Sequence, residues 1–143
     1  MELELSGRVA LVTGASAGIG TGIAKVLAAE GAQTILVARR RSQLESIAHE
    51  IETAGGKRPI VVAADLQDRA APVAIVAKVL AECRRVDIVV NNAGASRPLA
   101  VDASDEAWDE AFAVNFTAVR KMAQGFLPSM QAGKWGRIVN ITG

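Results

Sequence analysis

The sequence predicts a doubly wound parallel α/β sheet, on two observations. Five short apolar runs rich in Val and Ile recur along the chain, at 9–12, 34–37, 60–63, 86–90 and 138–141. Segments of helical periodicity separate them. The runs are continuous rather than alternating, the pattern of strands covered on both faces. Strand–helix alternation of this kind gives β-α-β-α-β-α-β-α-β with helices on both sides of the sheet.

Each helix shows its own apolar stripe. After the first strand, Ile19, Ile23, Val26 and Leu27 fall at i, i+4, i+7 and i+8. Leu44, Ile47, Ala48 and Ile51 repeat the spacing, as do Val73, Val76, Leu80 and Cys83. The longest stripe runs through Val119, Met122, Ala123, Phe126, Leu127 and Met130. Gly31 and the Gly55-Gly56 pair stop helices ahead of the next strand. Ser104 followed by Asp105 and Glu106 starts another, its hydroxyl capping and the carboxylates favoured by the helix dipole.

Composition narrows the function. The 143 residues suffice for one domain, 1–143, and half of them are hydrophobic. Formal net charge is +1, with both signs interleaved, so no footprint for nucleic acid or an anionic membrane is expected. Cys83 is the single cysteine; it excludes an internal disulfide, suits a reducing compartment and reads as a small apolar helix residue. The first residues are acidic where a secretory leader is basic, and no apolar run approaches the ~20 residues of a membrane span. A soluble, cytoplasmic protein is expected. The one histidine, His49, lies in a polar helix far from the strand ends and is read as neither catalytic nor a metal ligand.

Chemistry concentrates in Thr13-Gly14-Ala15-Ser16-Ala17-Gly18-Ile19-Gly20, between the first strand and the first helix. A phosphate requires backbone N–H donors aimed at it and no side chains in the way. Glycines at a strand-to-helix turn provide both, and the helix N-terminus adds partial positive charge. Gly14 allows the tight turn, Gly18 lets a pyrophosphate approach, and Gly20 lets the helix pack on the sheet. The loop lacks the Gly-Lys-Ser/Thr ending of a nucleoside-triphosphate site.

Thr-Gly-x-x-x-Gly-Ile-Gly, with Asn91-Asn92-Ala93-Gly94 after the fourth strand, resembles the short-chain dehydrogenase/reductase family. The resemblance runs along the whole chain, and the pattern is most similar to bacterial 3-oxoacyl-carrier-protein reductases. It implies a Rossmann sheet of strand order 3-2-1-4-5, here truncated after the fifth strand. It also implies cofactor contacts at Gly14, Ser16, Gly18, Ile19 and Gly20. Asp65 resembles the acid that accepts from the adenine amino group, with Leu66 beside it. Asn92, Ala93 and Gly94 resemble the segment that lies along the cofactor.

The second strand ends Leu36-Val37-Ala38-Arg39-Arg40-Arg41. A carboxylate there would accept from both ribose hydroxyls and select NAD. Arginine instead matches the 2′-phosphate of NADP, so NADP is expected and NAD disfavoured. Arg39 is the first choice for that contact and Arg40 the second. Ala17 stands where some NADP-using relatives place a further basic residue.

Hydride transfer to a carbonyl needs a proton as well, hence a general acid beside the nicotinamide. The resemblance implies a Ser, a Tyr-x-x-x-Lys pair and an Asn for these roles. Only the Asn has a counterpart, Asn115, expected on the buried face with Val119, Met122 and Phe126. Its main-chain carbonyl would hold a water of the proton relay. The sequence contains no tyrosine. The chain stops at Gly143, at the threshold of the serine, so its terminus reads as a cut, with Ile138, Val139 and Ile141 on an open sheet edge.

The leading expectation is therefore the cofactor-binding portion of an NADP-dependent reductase acting on a small-molecule carbonyl or alcohol. It would bind cofactor without turnover, and the full-length protein would be a homo-oligomer, since relatives pair through the two helices after the fourth strand. The rival expectation is a non-catalytic dinucleotide-binding or interaction module. A frameshift product is a third possibility.

Overall fold

The computed structural model describes residues 2–94 and 98–142. Five strands, β1 (Val9–Thr13), β2 (Gln33–Ala38), β3 (Ile60–Ala63), β4 (Ile88–Asn91) and β5 (Arg137–Asn140), form one sheet in the order β3-β2-β1-β4-β5. Every pairing is parallel, and β1, at the centre, runs in register from Val9 opposite Gln33 to Thr13 opposite Val37. Among the described residues five α-helices connect and cover the strands: α1 (Gly18–Ala29), α2 (Arg41–Thr53), α3 (Ala71–Cys83), α4 (Asp105–Phe112) and α5 (Ala118–Ala132). A π-helical turn, Ala113–Thr117, joins α4 to α5. No helix among the described residues is long and apolar enough to cross a membrane.

The sheet separates two apolar cores. On one face Ala10, Val12 and Leu36 meet Ala24 and Ala28 of α1 and Leu44, Ile47, Ala48 and Ile51 of α2. On the other, Leu11, Ile35, Val37 and Val89 meet Ile75 and Val79 of α3 and Met122, Phe126 and Met130 of α5. The strand residues that alternate along β1 and β2 thus feed opposite cores, which is why these strands carry no polar face.

Two expected stripes are met in part. Ile23 and Leu27 of α1, and Val76, Leu80 and Cys83 of α3, are partly buried against the two cores, but the most buried positions lie beside them. In α1 the buried positions are Gly20, Ala24 and Ala28, while Ile19 is 66% and Val26 50% exposed. Small residues bring this helix close to the sheet, and Ile19 and Val26 are turned outward. In α3 the buried positions are Ala71, Pro72, Ile75 and Val79, and Val73 is exposed. Pro72 sits in the first turn, where its missing N–H costs no helix hydrogen bond. The α2 stripe lies where expected, and in α5 only Leu127 is turned out.

The fourth strand starts at Ile88, later than the apolar run at 86–90. Asp87 precedes it as a buried carboxylate that accepts from the Val9 backbone N–H at 2.8 Å and pairs with Arg85 at 3.1 Å. This ties the starts of β1 and β4 together. The fifth strand is exposed along its length and β3 at the other edge is partly so, unlike the buried central strands. Ser104 caps α4 by accepting from the Ala107 N–H at 3.3 Å.

Thr34 is fully buried in β2, and its hydroxyl finds no partner among the described residues. Burying an unbonded hydroxyl costs on the order of 1–3 kcal/mol. Thr34→Val, nearly isosteric, is expected to stabilise the fold by about 1 kcal/mol and raise Tm by roughly 4 °C. Calorimetric melts of the two proteins check this; an unchanged or lower Tm means the hydroxyl is satisfied.

Candidate dinucleotide site

Parallel strands deliver their C-terminal ends to one side of the sheet, and the connections leaving them form a cleft of about 880 Å³. Its floor is Gly14, Ser16 and Ala17 after β1 and Asn92, Ala93 and Gly94 after β4. Its walls are Ala38, Arg39 and Arg40 after β2, Asp65, Leu66 and Gln67 after β3, and Ala107, Glu110, Ala111 and Val114 from the α4 side.

The floor is organised by Thr13, the last residue of β1. Its buried Oγ1 accepts from the backbone N–H groups of Asn92 and Ala93, both at 3.0 Å. The Asn92 amide reaches back, its Nδ2 donating to the Gly14 carbonyl at 3.3 Å. The two loops are therefore stitched together from both directions. Gly14 has φ +62°, and a Cβ there would lie 2.9 Å from Asn92 Nδ2 and 3.0 Å from the Ala93 Cα. A Cβ on Gly20 would run into the Gly14 carbonyl oxygen. Gly18, also at positive φ, has open space where its Cβ would be. Two glycines are thus demanded by packing, and the third leaves backbone bare beside an open groove, the form a phosphate cradle requires.

Arg39 and Arg40 are exposed on the cleft wall, and neither makes an ion pair with any described residue. Arg41 is different: it faces Glu45 at 3.8 Å, in a surface network that Arg58 completes through Glu45 and Glu52. That network holds the Arg58 guanidinium above its ordinary pKa, chiefly through its hydrogen bond to Glu52. Asp65 is exposed in the loop after β3, and its Oδ1 accepts from the Gln67 N–H at 2.9 Å. The carboxylate shapes its own turn, and its second oxygen accepts from no described residue. Leu66 beside it is buried in the core that α3 and α5 cover.

The remaining expected residues divide. Ile19 and Gly20 line no part of the cleft; Gly20 is buried beneath the turn and Ile19 points outward. Gly18 lies in a smaller side pocket lined also by Ser16, Ala17 and Gln43. Asn115 sits in the π-helical turn and is exposed, not on the buried stripe expected for it. The buried face is Val114, Ala118, Met122, Phe126 and Met130. In the turn, the Ala118 N–H donates to the Ala113 carbonyl, five residues back, so the extra residue swings Asn115 off that face. Its Nδ2 donates to the Ala111 carbonyl at 2.9 Å, and its Oδ1 stands where a Cβ on Gly94 would come within 3.0 Å. That places Asn115 against the floor of the cleft.

Sequence reasoning missed the organising role of Thr13, which has no signal beyond its place before Gly14. Gln43, Gln67, Glu110 and Val114 were missed as wall residues, being distributed over three connections. No group of three or more His, Cys, Asp or Glu among the described residues could hold a metal ion. Burial raises the Cys83 thiol pKa, with Glu82 adding to the shift, on a helix that contributes nothing to the cleft.

A parallel sheet of this order, with a glycine-lined turn after its first strand and a cleft across its strand ends, defines a nucleotide-binding α/β protein. The chain belongs to the short-chain dehydrogenase family, which it matches over residues 8–143. It is 44% identical over 140 residues to nodulation protein G of Rhizobium sp. (strain N33), covering 97% of this chain and 56% of that protein. Identity to the 3-oxoacyl-[acyl-carrier-protein] reductase of Escherichia coli (strain K12) is 35%, with the same coverage. Among solved structures, a metagenomic short-chain oxidoreductase in complex with NADP superposes with a TM-score of 0.90 at 42% identity, covering 97% of this chain and 63% of that one. The L-sorbose reductase of Gluconobacter frateurii, complexed with NADPH and L-sorbose, gives 0.92 at 35%, covering 98% and 54%. The chain thus spans a little over half the length of the curated relatives cited here.

Replacing Thr13 by Val removes the acceptor of two N–H groups, each worth about 1–3 kcal/mol when left unpaired. The expected outcome is a clear drop in Tm, with Thr13→Ser restoring most of it because the oxygen returns. Thermal melts of both variants decide it: a Val variant as stable as the parent would show that the hydroxyl does not hold the loops.

Proposed function

We propose that this chain is the cofactor-binding portion of an NADP-dependent oxidoreductase that interconverts a small-molecule carbonyl and an alcohol. The observation that carries this is the pair of arginines that make no ion pair with a described residue, Arg39 and Arg40, on the cleft wall at the end of β2, where no carboxylate stands. A guanidinium fork fits a phosphate monoester, and a carboxylate would repel it. The structural neighbours solved with NADP or NADPH support the same choice.

The residues fit the cofactor's parts in order. Bare backbone at Gly14, Ser16 and Gly18 receives the pyrophosphate, and the α1 N-terminus favours its charge. Asp65 Oδ2 is placed to accept from the adenine amino group, with Leu66 at the adenine edge. Asn92, Ala93 and Gly94 lie along the cofactor. Ile19 and Gly20 act from behind, shaping the turn. Bound cofactor supplies the hydride chemistry. Asn115, held against Gly94 in the irregular helical turn, is assigned to positioning on the proton-relay side. The general acid implied by the family, a tyrosine, is absent from the 143 residues, so the chain is expected to bind without turnover. The working compartment in this reading is the cytoplasm, with neither nucleic acid nor membrane as partner.

We also assign a homo-oligomer contact to the outward face of α4 and α5. Trp108, Phe112 and Phe116 form an exposed aromatic stripe, with the Trp108 and Phe112 rings 6.5 Å apart. The Asp105 carboxylate precedes it, Asp109 follows Trp108 within it, and Arg120 comes after it, all on the exposed surface. A two-fold axis through the stripe would set the acids of one copy against Arg120 of the other, which favours a second copy as occupant.

Calorimetric titration is expected to show NADPH binding more tightly than NADH, and no NADPH oxidation by the 143-residue chain with ketone substrates. Arg39→Ala should weaken NADPH about tenfold and leave NADH nearly unchanged, the loss of one charge-assisted contact. Equal affinities in the parent would sink the NADP reading. For the oligomer, Phe112→Lys with Phe116→Lys should convert a dimer to a monomer in light scattering, whereas a monomeric parent would refute the contact.

A further inference from the structure

We infer that Gln43 is a specificity-determining residue that reads the 2′ substituent of the adenosine ribose, compensating for the absence of a basic side chain at Ala17. The inference rests on the cofactor reading above. Gln43, in the first turn of α2, lines both the main cleft and the side pocket of about 430 Å³ that adjoins it. Among the described residues only Ser16 and Ala17 share that property, so these three form the sill between the two spaces. Ser16 and Ala17 belong to the glycine loop; Gln43 comes from the opposite side, next to Arg39 and Arg40.

The chemistry of the sill is selective. Ala17 offers no side-chain donor. The Gln43 amide makes no hydrogen bond to a described residue, and it is exposed, so its N–H donors remain available to a ligand at the sill. The far side of the side pocket carries Glu50, whose negative charge would oppose a phosphate, but Lys25 pairs with it across α1 and α2. An amide donor at the sill and a neutralised acid behind it together admit a phosphate monoester. Glutamate at position 43 would instead place a carboxylate there, which accepts from a free 2′-hydroxyl and repels a 2′-phosphate.

The test uses the intact 143-residue chain and two probes that differ only at this position, adenosine 2′,5′-bisphosphate and adenosine 5′-monophosphate, titrated calorimetrically. Gln43→Ala should weaken the bisphosphate about tenfold, as expected for one lost hydrogen bond to a charged group, and the monophosphate less than twofold. Gln43→Glu should bring the two probes to equal affinity or reverse their order. Lys25→Gln, which releases the Glu50 charge, should weaken the bisphosphate alone. A bisphosphate preference in the parent that survives Gln43→Ala unchanged, or equal losses for both probes, overturns the role of Gln43 and leaves the arginine reading standing. A parent that does not distinguish the probes overturns both. Because Gln43 and Lys25 are exposed, unchanged melting temperatures are expected for all three variants.

Discussion

The site exists only if the ends of two strands are held at a fixed separation. Parallel β1 and β4 both terminate at the cleft, and each must hand its backbone to a loop that bares N–H groups to solvent. Unsupported, such loops would satisfy those groups with water and lose their shape. The Thr13 hydroxyl prevents this by accepting from two consecutive N–H groups of the opposite loop, and the Asn92 amide closes the link to the Gly14 carbonyl. The glycine turn, the small residues of Ala93 and Gly94 and the position of Asn115 against Gly94 all follow from that stitching.

A matching device works at the other end of the strands. Asp87, nearly buried, accepts from the Val9 N–H and is flanked by Arg85 and, at 3.9 Å, by Arg8. Arg8 also stacks on Trp135, 3.9 Å from the ring centroid, with Arg137 on the same indole at 4.6 Å. These contacts draw β5 and the segment before it towards the start of β1. A carboxylate removed from water is tolerated there because it is both hydrogen-bonded and paired. The sheet is thus pinned at both ends of its central strands, by a neutral hydroxyl at the site and by a charge cluster away from it. The cleft is left with arginines that are not consumed by structural ion pairs.

The partly displaced stripe of α1 shows how the site dictates packing. For the turn after β1 to be tight, the helix must approach the sheet closely. Gly20 permits this, and Ala24 and Ala28 extend the same small surface by one and two turns. Ile19 and Val26 are larger and more hydrophobic, yet they are excluded from that contact by size. Hydrophobicity alone ranks these two residues the wrong way round, so of the periodic stripe Ile23 and Leu27 pack against the core while Ile19 and Val26 do not. In α2, with no phosphate turn to serve, Leu44, Ile47, Ala48 and Ile51 lie on the face that periodicity indicates.

By itself the sequence determined the fold class, the strand order implied by the family motifs, the glycine turn and the candidate arginines. Each of these is local: a run of β-branched residues, a spacing of glycines, a charge at a strand end. Only the tertiary structure decided what those residues do together. It separated Arg39 and Arg40 from Arg41, whose charge faces Glu45. It set Asn115 aside from the buried stripe through a π-helical turn, a one-residue insertion that no periodicity reveals. It made Thr13 the organiser and Gln43 a sill residue, because both roles depend on residues distant in the chain, Asn92 and Ala93 for Thr13 and Ser16 and Ala17 for Gln43. Contacts between strand ends are long-range by construction in a parallel sheet, since every crossover spends a helix between one strand and the next. Local pattern therefore names the elements, and their juxtaposition at one edge of the sheet makes the site.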